Sequence, residues 1–192
     1  MNVLILGLGA IGSNLAMNLA ADMKQHKYML LDYDKVEPRN LQVHTQRYSK
    51  EQVDVLKANA LQVNIYTTIG GMPESYVTKI NKPSDLDKYS ADLIIDAFDN
   101  YDARKCVYDY SKNNKIPCIH IGFSPQMTYE ICWNEKYQVP EDFKDSLDIC
   151  QLSGASSFIN YVSALSSIVI QEWVKTKKKR NFAGMRFSVR EF

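Results

Sequence analysis

The sequence has 192 residues, of which 45% are hydrophobic and 23% are charged, and its formal net charge is +1. This length is sufficient for a domain with a hydrophobic core of its own, and the composition is typical of a soluble globular protein. The near-neutral charge excludes the overall basic signature of a nucleic-acid-binding protein, so we expect no nucleic-acid partner.

The first elements predict a βαβ unit. Residues 2–6 form an apolar run that is too short for a helix and is typical of a buried parallel strand. The glycine motif Gly7-Leu8-Gly9-Ala10-Ile11-Gly12 follows at once, and a helix is predicted from about Ser13. The second strand, Tyr28–Leu31, ends on Asp32. Such a strand–turn–helix–strand unit has a right-handed crossover.

The next segment is more polar. Pro38, Arg39 and Asn40 predict a loop or a short helix. Ser49 is a candidate N-cap, and the helix that it opens is expected to run towards Leu61. The run Val63–Ile69 then predicts a third strand, which Gly70-Gly71 ends.

The second half continues the alternation of strands and helices and then changes. The predicted elements are a strand over Asp92–Ala97, a helix over 102–114, a strand over Ile116–Gly122, and antiparallel edge strands over Met127–Trp133 and Met185–Val189. Between the edge strands lie an acidic loop, Glu141–Asp148, and an uncharged helix over 155–171. We predict a single domain over residues 1–192. Its fold class is α/β, a Rossmann-like doubly wound sheet that is mainly parallel, with antiparallel strands at the C-terminal edge.

The uncharged stretch superficially resembles a membrane span. No charged residue occurs from Ile149 to Gln171, and a basic cluster, Lys175–Arg180, follows. Gln151, Asn160 and several serines lie inside it, so we predict a buried helix with a solvated basic end and no membrane partner. Because the helix is apolar all round, part of it is expected to pack in a homodimer interface.

Cysteine usage and the N-terminus indicate the compartment. Cys106, Cys118, Cys132 and Cys150 are scattered, and the first strand leads into the glycine motif without a signal peptide. We therefore expect a reduced, cytoplasmic protein.

The glycine motif has a physical role in nucleotide binding. Gly7 permits a tight turn, Gly9 lets a phosphate approach the backbone, and Gly12 lets the helix pack closely. The N-terminus of the helix attracts an anion, and Asp32 is placed to accept hydrogen bonds from ribose hydroxyls. These features serve ATP and NAD equally well.

Two longer motifs distinguish between those nucleotides. The segment from Asp32-Tyr33-Asp34 to Asn40-Leu41 and the block Asp92–Asn100 (D-L-I-I-D-A-F-D-N) resemble signatures of the ThiF/MoeB family of ubiquitin-like-protein-activating enzymes. Arg104 and Ile116-Pro117, which follow the second block, are also similar to the family. So is the stretch from Cys150 to Ile170, with its late Cys, Gly turn and apolar helix.

This resemblance implies an ATP-dependent adenylyltransferase. Such an enzyme binds ATP with Mg²⁺ and attacks the α-phosphate with the C-terminal carboxylate of a small ubiquitin-like protein, which ends in Gly-Gly. The implied assignments are Asp99 for Mg²⁺, Asp32 for ribose, Asp34 within the same nucleotide site, Asn40 as a donor beside the phosphates, Lys57 as the phosphate lysine, and Cys150 as a thiol that accepts an acyl or sulfur group. Simpler interpretations are that Asp99 caps a helix, that Lys57 is solvated and that Cys150 is an unreactive buried thiol.

The sequence also departs from the family. Val43 stands where the family has an arginine, although Arg39 and Arg47 flank it, and the chain begins at the first strand, without an N-terminal segment. The family's paired CxxC motifs are absent, so we expect no structural zinc. Two alternatives remain open at this stage: a catalytically impaired nucleotide-binding partner of a related enzyme, and an NAD-dependent oxidoreductase.

Overall fold

The computed structural model describes residues 1–141 and 152–192, which contain four α-helices and eight strands. The helices are α1 (Ala10–Asp22), α2 (Lys57–Ile69), α3 (Tyr101–Asn113) and α4 (Ala155–Thr176). The strands are β1 (Asn2–Leu6), β2 (Lys27–Leu31), β3 (Glu74–Tyr76), β4 (Leu93–Asp96), β5 (Cys118–Phe123), β6 (Thr128–Trp133), β7 (Phe182–Met185) and β8 (Arg190–Glu191).

All eight strands form one sheet in the order β3-β2-β1-β4-β5-β6-β7-β8. Strands β1 to β5 pair in parallel, whereas the pairs from β5 to β8 are antiparallel, which confirms the predicted fold class. The chain runs from β1 towards one edge of the sheet and later from β4 towards the other. The gap between the carboxyl ends of β1 and β4 is therefore a topological switch point, where open α/β sheets bind ligands.

Helices cover both faces of the parallel strands. Val3 and Ile5 of β1 pack into one hydrophobic cluster with residues of α1, α2 and α4. Leu4 and Leu6 point to the opposite face, where α3 and the 3-10 turn Pro83–Leu86 complete a second cluster. Burial on both faces explains why these strands read as continuous apolar runs.

The predicted third strand, Val63–Ile69, is wrong, because this segment is the second half of α2. The buried residues Ala58, Leu61 and Ile65 recur at helical spacing, and the helix ends at Gly70, whose φ is 77°. The true third strand is the short β3, which pairs with β2.

The long uncharged helix is observed as α4, and most of its apolar side chains are buried within the chain. Ile168, at 60% exposure, is the large apolar residue of α4 that remains open to solvent. In the described part of the chain, no helix combines the length and the apolarity needed to cross a bilayer.

The C-terminal edge is partly as predicted. Strand β6 agrees with the prediction over Met127–Trp133 to within one residue. The predicted strand Met185–Val189 is wrong, because β7 ends at Met185 and a turn closed by the Ser188 N–H on the Met185 carbonyl leads into β8. The predicted acidic loop lies, from residue 142 onwards, outside the described residues.

Candidate functional site

A cavity of about 820 Å³ opens at the switch point, above the carboxyl ends of β1 and β4. Five residues predicted for the site line it: Gly9, Asp34, Asn40, Lys57 and Asp99. Three others, Gly7, Gly12 and Asp32, are neighbours of these but do not line the cavity wall. The predicted Cys150 lies outside the described residues.

The three glycines of the turn have different surroundings. A Cβ on Gly7, whose φ is 77°, would lie 2.8 Å from the Ala97 carbonyl oxygen. A Cβ on Gly12 would lie 1.8 Å from the Gly7 carbonyl oxygen, so α1 packs this closely only because residue 12 is glycine. A Cβ on Gly9 would meet nothing within 4 Å, since Gly9 faces the cavity. The turn is therefore closed at Gly7 and Gly12 and open to a ligand at Gly9.

The N-terminus of α1 opens into this cavity. Gly9 is the N-cap, and no side chain caps the helix. The Ser13 N–H donates to the Gly9 carbonyl, so the three preceding N–H groups lack an acceptor within the helix. Ala10 and Ile11, which carry two of them, line the cavity. Free N–H groups at the positive end of a helix dipole form a site for phosphate.

The Asp32 carboxylate stabilises the glycine turn by accepting hydrogen bonds from the backbone. Its Oδ2 accepts the Leu8 N–H at 2.7 Å, and its Oδ1 accepts the Asp34 N–H at 2.8 Å. Burial raises the pKa of the Asp32 carboxyl, and the nearby Lys57 and the two N–H donors oppose that rise. Each oxygen keeps a second lone pair, which a ligand hydroxyl could use.

Lys57 is the first residue of α2, and it is only 8% exposed. Its Nζ lies 3.4 Å from Asp34 Oδ2, and its N–H donates to the Asp34 carbonyl. A cation in the first turn of a helix opposes the helix dipole, so this lysine is not placed for the stability of α2. The interpretation of Lys57 as a solvated lysine is wrong.

A 3-10 helix, Pro38–His44, brings two further side chains to the cavity. Asn40 accepts the Glu37 N–H through Oδ1 at 2.8 Å, which leaves its NH₂ group as the donor for a ligand. Arg39 lies beside it, with Nε 2.5 Å from Glu37 Oε2. Of the two arginines that flank position 43, Arg39 lines the cavity, whereas Arg47 donates to a side chain on α4.

Asp99 lies in the loop that follows β4, exposed and in the cavity wall. The next residue, Asn100, caps α3 by accepting the Ala103 N–H through Oδ1 at 3.0 Å. The interpretation of Asp99 as the helix cap is therefore wrong. Its carboxylate is available to a ligand or a metal ion.

The structure also shows a buried polar cluster that the sequence did not indicate. His120 Nδ1 lies 2.7 Å from Asp96 Oδ2, and the His120 ring stacks on Tyr137 at 3.7 Å between centroids. Tyr137 in turn accepts a hydrogen bond from Arg104, and both residues line the cavity. The sequence feature that could have indicated this cluster is one histidine inside an otherwise apolar strand.

The charges in the cavity wall have a consequence for a polyanionic ligand. Its described cations are Arg39, Lys57 and Arg104, and its described carboxylates are Asp34, Asp99, Glu130 and Glu141. Because the two signs nearly balance, a triphosphate would need additional positive charge to bind. Mg²⁺ fits this requirement, since it is usually held by one or two carboxylates together with substrate phosphates.

A metal site built only from protein side chains needs more donor side chains than a site that is shared with substrate phosphates. Within residues 1–141 and 152–192, no three His, Cys, Asp or Glu side chains lie together as such a site would need. Cys106, Cys118 and Cys132 are free and buried. A lone exposed carboxylate such as Asp99 suits a metal ion that arrives with a nucleotide.

Residues 1–186 match the model of the ThiF family. Among curated proteins, none matches the sequence.

Solved structures share the fold at low sequence identity. The microcin C7 biosynthetic enzyme MccB in complex with N-formylated MccA has a TM-score of 0.78 and 17% identity, over 100% of this chain and 63% of that one. E. coli MccB with ATP has a TM-score of 0.74 and 17% identity, over 100% of this chain and 62% of that one. PaaA has a TM-score of 0.75 and 18% identity, over 100% of this chain and 63% of that one. The chain therefore spans a little over three-fifths of the length of these proteins.

Proposed function

This chain belongs to the ThiF family, and we propose that it binds ATP with Mg²⁺ at the switch point and adenylates the carboxylate of an acceptor. One observation carries the proposal. A single cavity contains the uncapped N-terminus of α1, the open Gly9, the cations Lys57 and Arg39, and the exposed Asp99. This set matches the needs of a metal-bound triphosphate.

Each part of the nucleotide has a partner in this arrangement. The phosphates would accept from the N–H groups of the first turn of α1 and from the Asn40 amide, with Lys57 and Arg39 neutralising their charge. The ribose hydroxyls would donate to Asp34 in the cavity wall and to the second lone pairs of Asp32, its buried neighbour two residues earlier. Asp99 would hold Mg²⁺, which, when bound, supplies positive charge to the phosphates.

The proposed reaction requires positioning and charge more than acid–base groups. An oxygen of the acceptor carboxylate bonds to the α-phosphorus, the bond from that phosphorus to the bridging oxygen of the β-phosphate breaks, and pyrophosphate leaves with the electron pair. The nucleophile is already ionised at neutral pH, so no proton has to be removed. The described residues of the cavity wall include no histidine or cysteine, which fits such a reaction.

The acceptor would enter along the antiparallel part of the sheet. Beyond the phosphate end, the cavity is lined by Gly122, Ala183 and Gly184. A Cβ on Gly122 would lie 3.2 Å from Arg104 Nη2, so a larger residue there would press on a buried cation. Phe123, Tyr129 and Glu130 line the same end of the cavity, so this wall combines small, aromatic and acidic residues. We propose the C-terminus of a small protein or peptide as acceptor, with a ubiquitin-like protein ending in Gly-Gly as the specific candidate.

A comparison of two nucleotides tests the binding step. ATP with Mg²⁺ should bind in titration calorimetry, whereas NAD⁺ should not. The reverse result would support an NAD-dependent oxidoreductase. Binding of ATP without any exchange of pyrophosphate would support a catalytically impaired partner of a related enzyme.

The proposed assembly is a homodimer that uses the outer face of α4. Tyr161, Leu165 and Ile168 follow one another at helical spacing on that face, and Phe187 contacts the Tyr161 ring. Light scattering should give twice the chain mass at micromolar concentration. The single chain mass would contradict the proposed dimer.

A further inference from the structure

A row of buried polar side chains lies behind the cavity wall, and the proposed reaction does not use it. His120 is 1% exposed and Asp96 is fully buried. His120 Nε2 lies 2.6 Å from Asn134 Oδ1, on the opposite side of the ring from Asp96. The Asn134 NH₂ donates to Ser111 Oγ at 2.7 Å, and Ser111 Oγ donates to the Val107 carbonyl at 2.7 Å.

The last acceptor of this row fixes the direction of every hydrogen bond. A backbone carbonyl only accepts, so the Ser111 hydroxyl donates to it and must itself accept from the Asn134 NH₂. The Asn134 oxygen then faces His120 and accepts from Nε2–H. Because Nδ1 faces the Asp96 carboxylate, both ring nitrogens carry a proton and the ring is an imidazolium.

Two further observations agree with a charged ring. Tyr137 stacks on His120 with an angle of 4° between the planes, which suits a cation on an aromatic face. Burial would lower the pKa of His120, but the neighbouring Cys118 and Asp96 raise it to about 10. The pKa of Asp96 is lowered: burial opposes ionisation, but the hydrogen bond from His120 and the charge of Arg104 outweigh it.

The ion pair is connected to the loop that carries Asp99. Asp96 Oδ1 accepts the Phe98 N–H at 3.1 Å, so one carboxylate joins His120 to the backbone directly before Asp99. The same turn packs on the glycine motif, since a Cβ on Gly7 would lie 2.9 Å from the Phe98 nitrogen. The position of this turn therefore depends on where the Asp96 carboxylate is held.

We propose that His120 is a positioning residue: as a buried imidazolium it holds Asp96, and thereby the turn that presents Asp99 to the cavity. Without the imidazolium, the buried Asp96 carboxylate loses its hydrogen-bonded cation and keeps only the charge of Arg104, so we expect it to rotate away or to become protonated. Both changes weaken its bond to the Phe98 N–H. The consequence for metal binding at Asp99 rests on the proposed function, whereas the order of the turn does not.

The charge state can be tested by ¹⁵N NMR of the histidine rings in the whole protein. His120 should remain doubly protonated at pH 8, and Asp96→Asn should remove one proton from the ring. His26 provides the internal comparison, because burial lowers its pKa and it should be neutral at that pH. A singly protonated His120 ring in the wild type at pH 8 would overturn the inference.

The positioning role can be tested by amide hydrogen exchange at Phe98. In His120→Gln, the exchange rate should rise about tenfold or more, as expected for the loss of one hydrogen bond. Val107→Ala is the matched control, because it destabilises the same layer by leaving a cavity but retains every bond of the row. Equal exchange rates in these two variants, at equal global stability, would overturn the inference.

Metal dependence separates this inference from the proposed function. If ATP binds, His120→Gln should raise the Mg²⁺ concentration for half-maximal ATP binding about tenfold, the equivalent of one lost hydrogen bond. Without Mg²⁺, ATP binding should be weak in the wild type and in His120→Gln alike, and Val107→Ala should change neither the Mg²⁺ requirement nor this weak binding. An unchanged Mg²⁺ requirement in His120→Gln would overturn the link to Asp99. If the wild type binds no ATP, the proposed function fails, and the exchange rates at Phe98 still decide the inference.

Discussion

Replacing each glycine of the turn by alanine should separate stability from nucleotide binding. Gly9→Ala adds a methyl group that meets nothing within 4 Å, so the unliganded protein should lose no more than about 1 kcal/mol, the scale of a changed N-cap. The methyl would occupy the space through which a phosphate approaches the N–H groups. Losing one hydrogen bond to a charged group costs about 1.5–3 kcal/mol, which weakens ATP binding by about 10- to 150-fold.

The other two glycines should behave in the opposite way. Gly7→Ala places alanine at a φ of 77° and 2.8 Å from a carbonyl oxygen. The left-handed conformation costs about 1–2 kcal/mol and the overlap about 1–3 kcal/mol, giving about 2–5 kcal/mol together. Gly12→Ala should cost at least about 3 kcal/mol, because its Cβ would lie 1.8 Å from a backbone oxygen and α1 would have to move.

Urea unfolding and titration calorimetry on the three variants give both quantities. The expected result is that Gly9→Ala is stable but binds poorly, while Gly7→Ala and Gly12→Ala are destabilised. If a folded Gly9→Ala bound ATP as tightly as the wild type, the phosphates would not approach the chain at Gly9, and the reasoning would be refuted.

Three further predictions concern the positively charged side chains. Lys57→Met should lower the rate of ATP–pyrophosphate exchange at least about tenfold, since a buried charge beside the phosphates is lost, whereas the exposed Lys50→Met should have no effect. Arg39→Ala should weaken ATP binding about tenfold in calorimetry, the equivalent of one charged hydrogen bond, whereas Arg47→Ala should not. The stability of the wild type in urea should decline as the pH rises from about 6.5, the usual pKa of an unfolded histidine, through about 10, the raised pKa of His120. A group with a raised folded pKa stabilises only while protonated, so the decline should be smaller in His120→Gln.

Local sequence patterns predicted the elements around the switch point, because the residues that define each element lie within one short segment of the chain. A buried parallel strand, a glycine turn and an acidic strand end all lie within residues 2–32, and their geometry depends on few distant contacts. The same is true of Asp99, which follows a strand that is apolar on both faces. The sequence therefore predicted several of the residues that line the cavity at the switch point.

The errors arose where the structure depends on distant contacts. Val63–Ile69 is rich in β-branched residues, yet it continues a helix whose buried positions begin at Ala58, so the packing of α2 overrides local strand propensity. Strand β3 has three residues and no pattern of its own; it exists because β2 offers a free edge. His120 and Asp96 are 24 residues apart, and only the pairing of β4 with β5 brings them together.

The most direct test of the account is ATP–pyrophosphate exchange with two matched variants, supplied with a peptide that ends in Gly-Gly. Asp99→Asn and Asp102→Asn each remove one exposed carboxylate, three residues apart, but only Asp99 lines the cavity. The account predicts exchange in the wild type and in Asp102→Asn, and a loss of at least about a hundredfold in Asp99→Asn, because the charge that positions the metal is removed. Exchange at the wild-type rate in Asp99→Asn would contradict the proposed site, and its absence from the wild type with every acceptor would contradict the proposed activity.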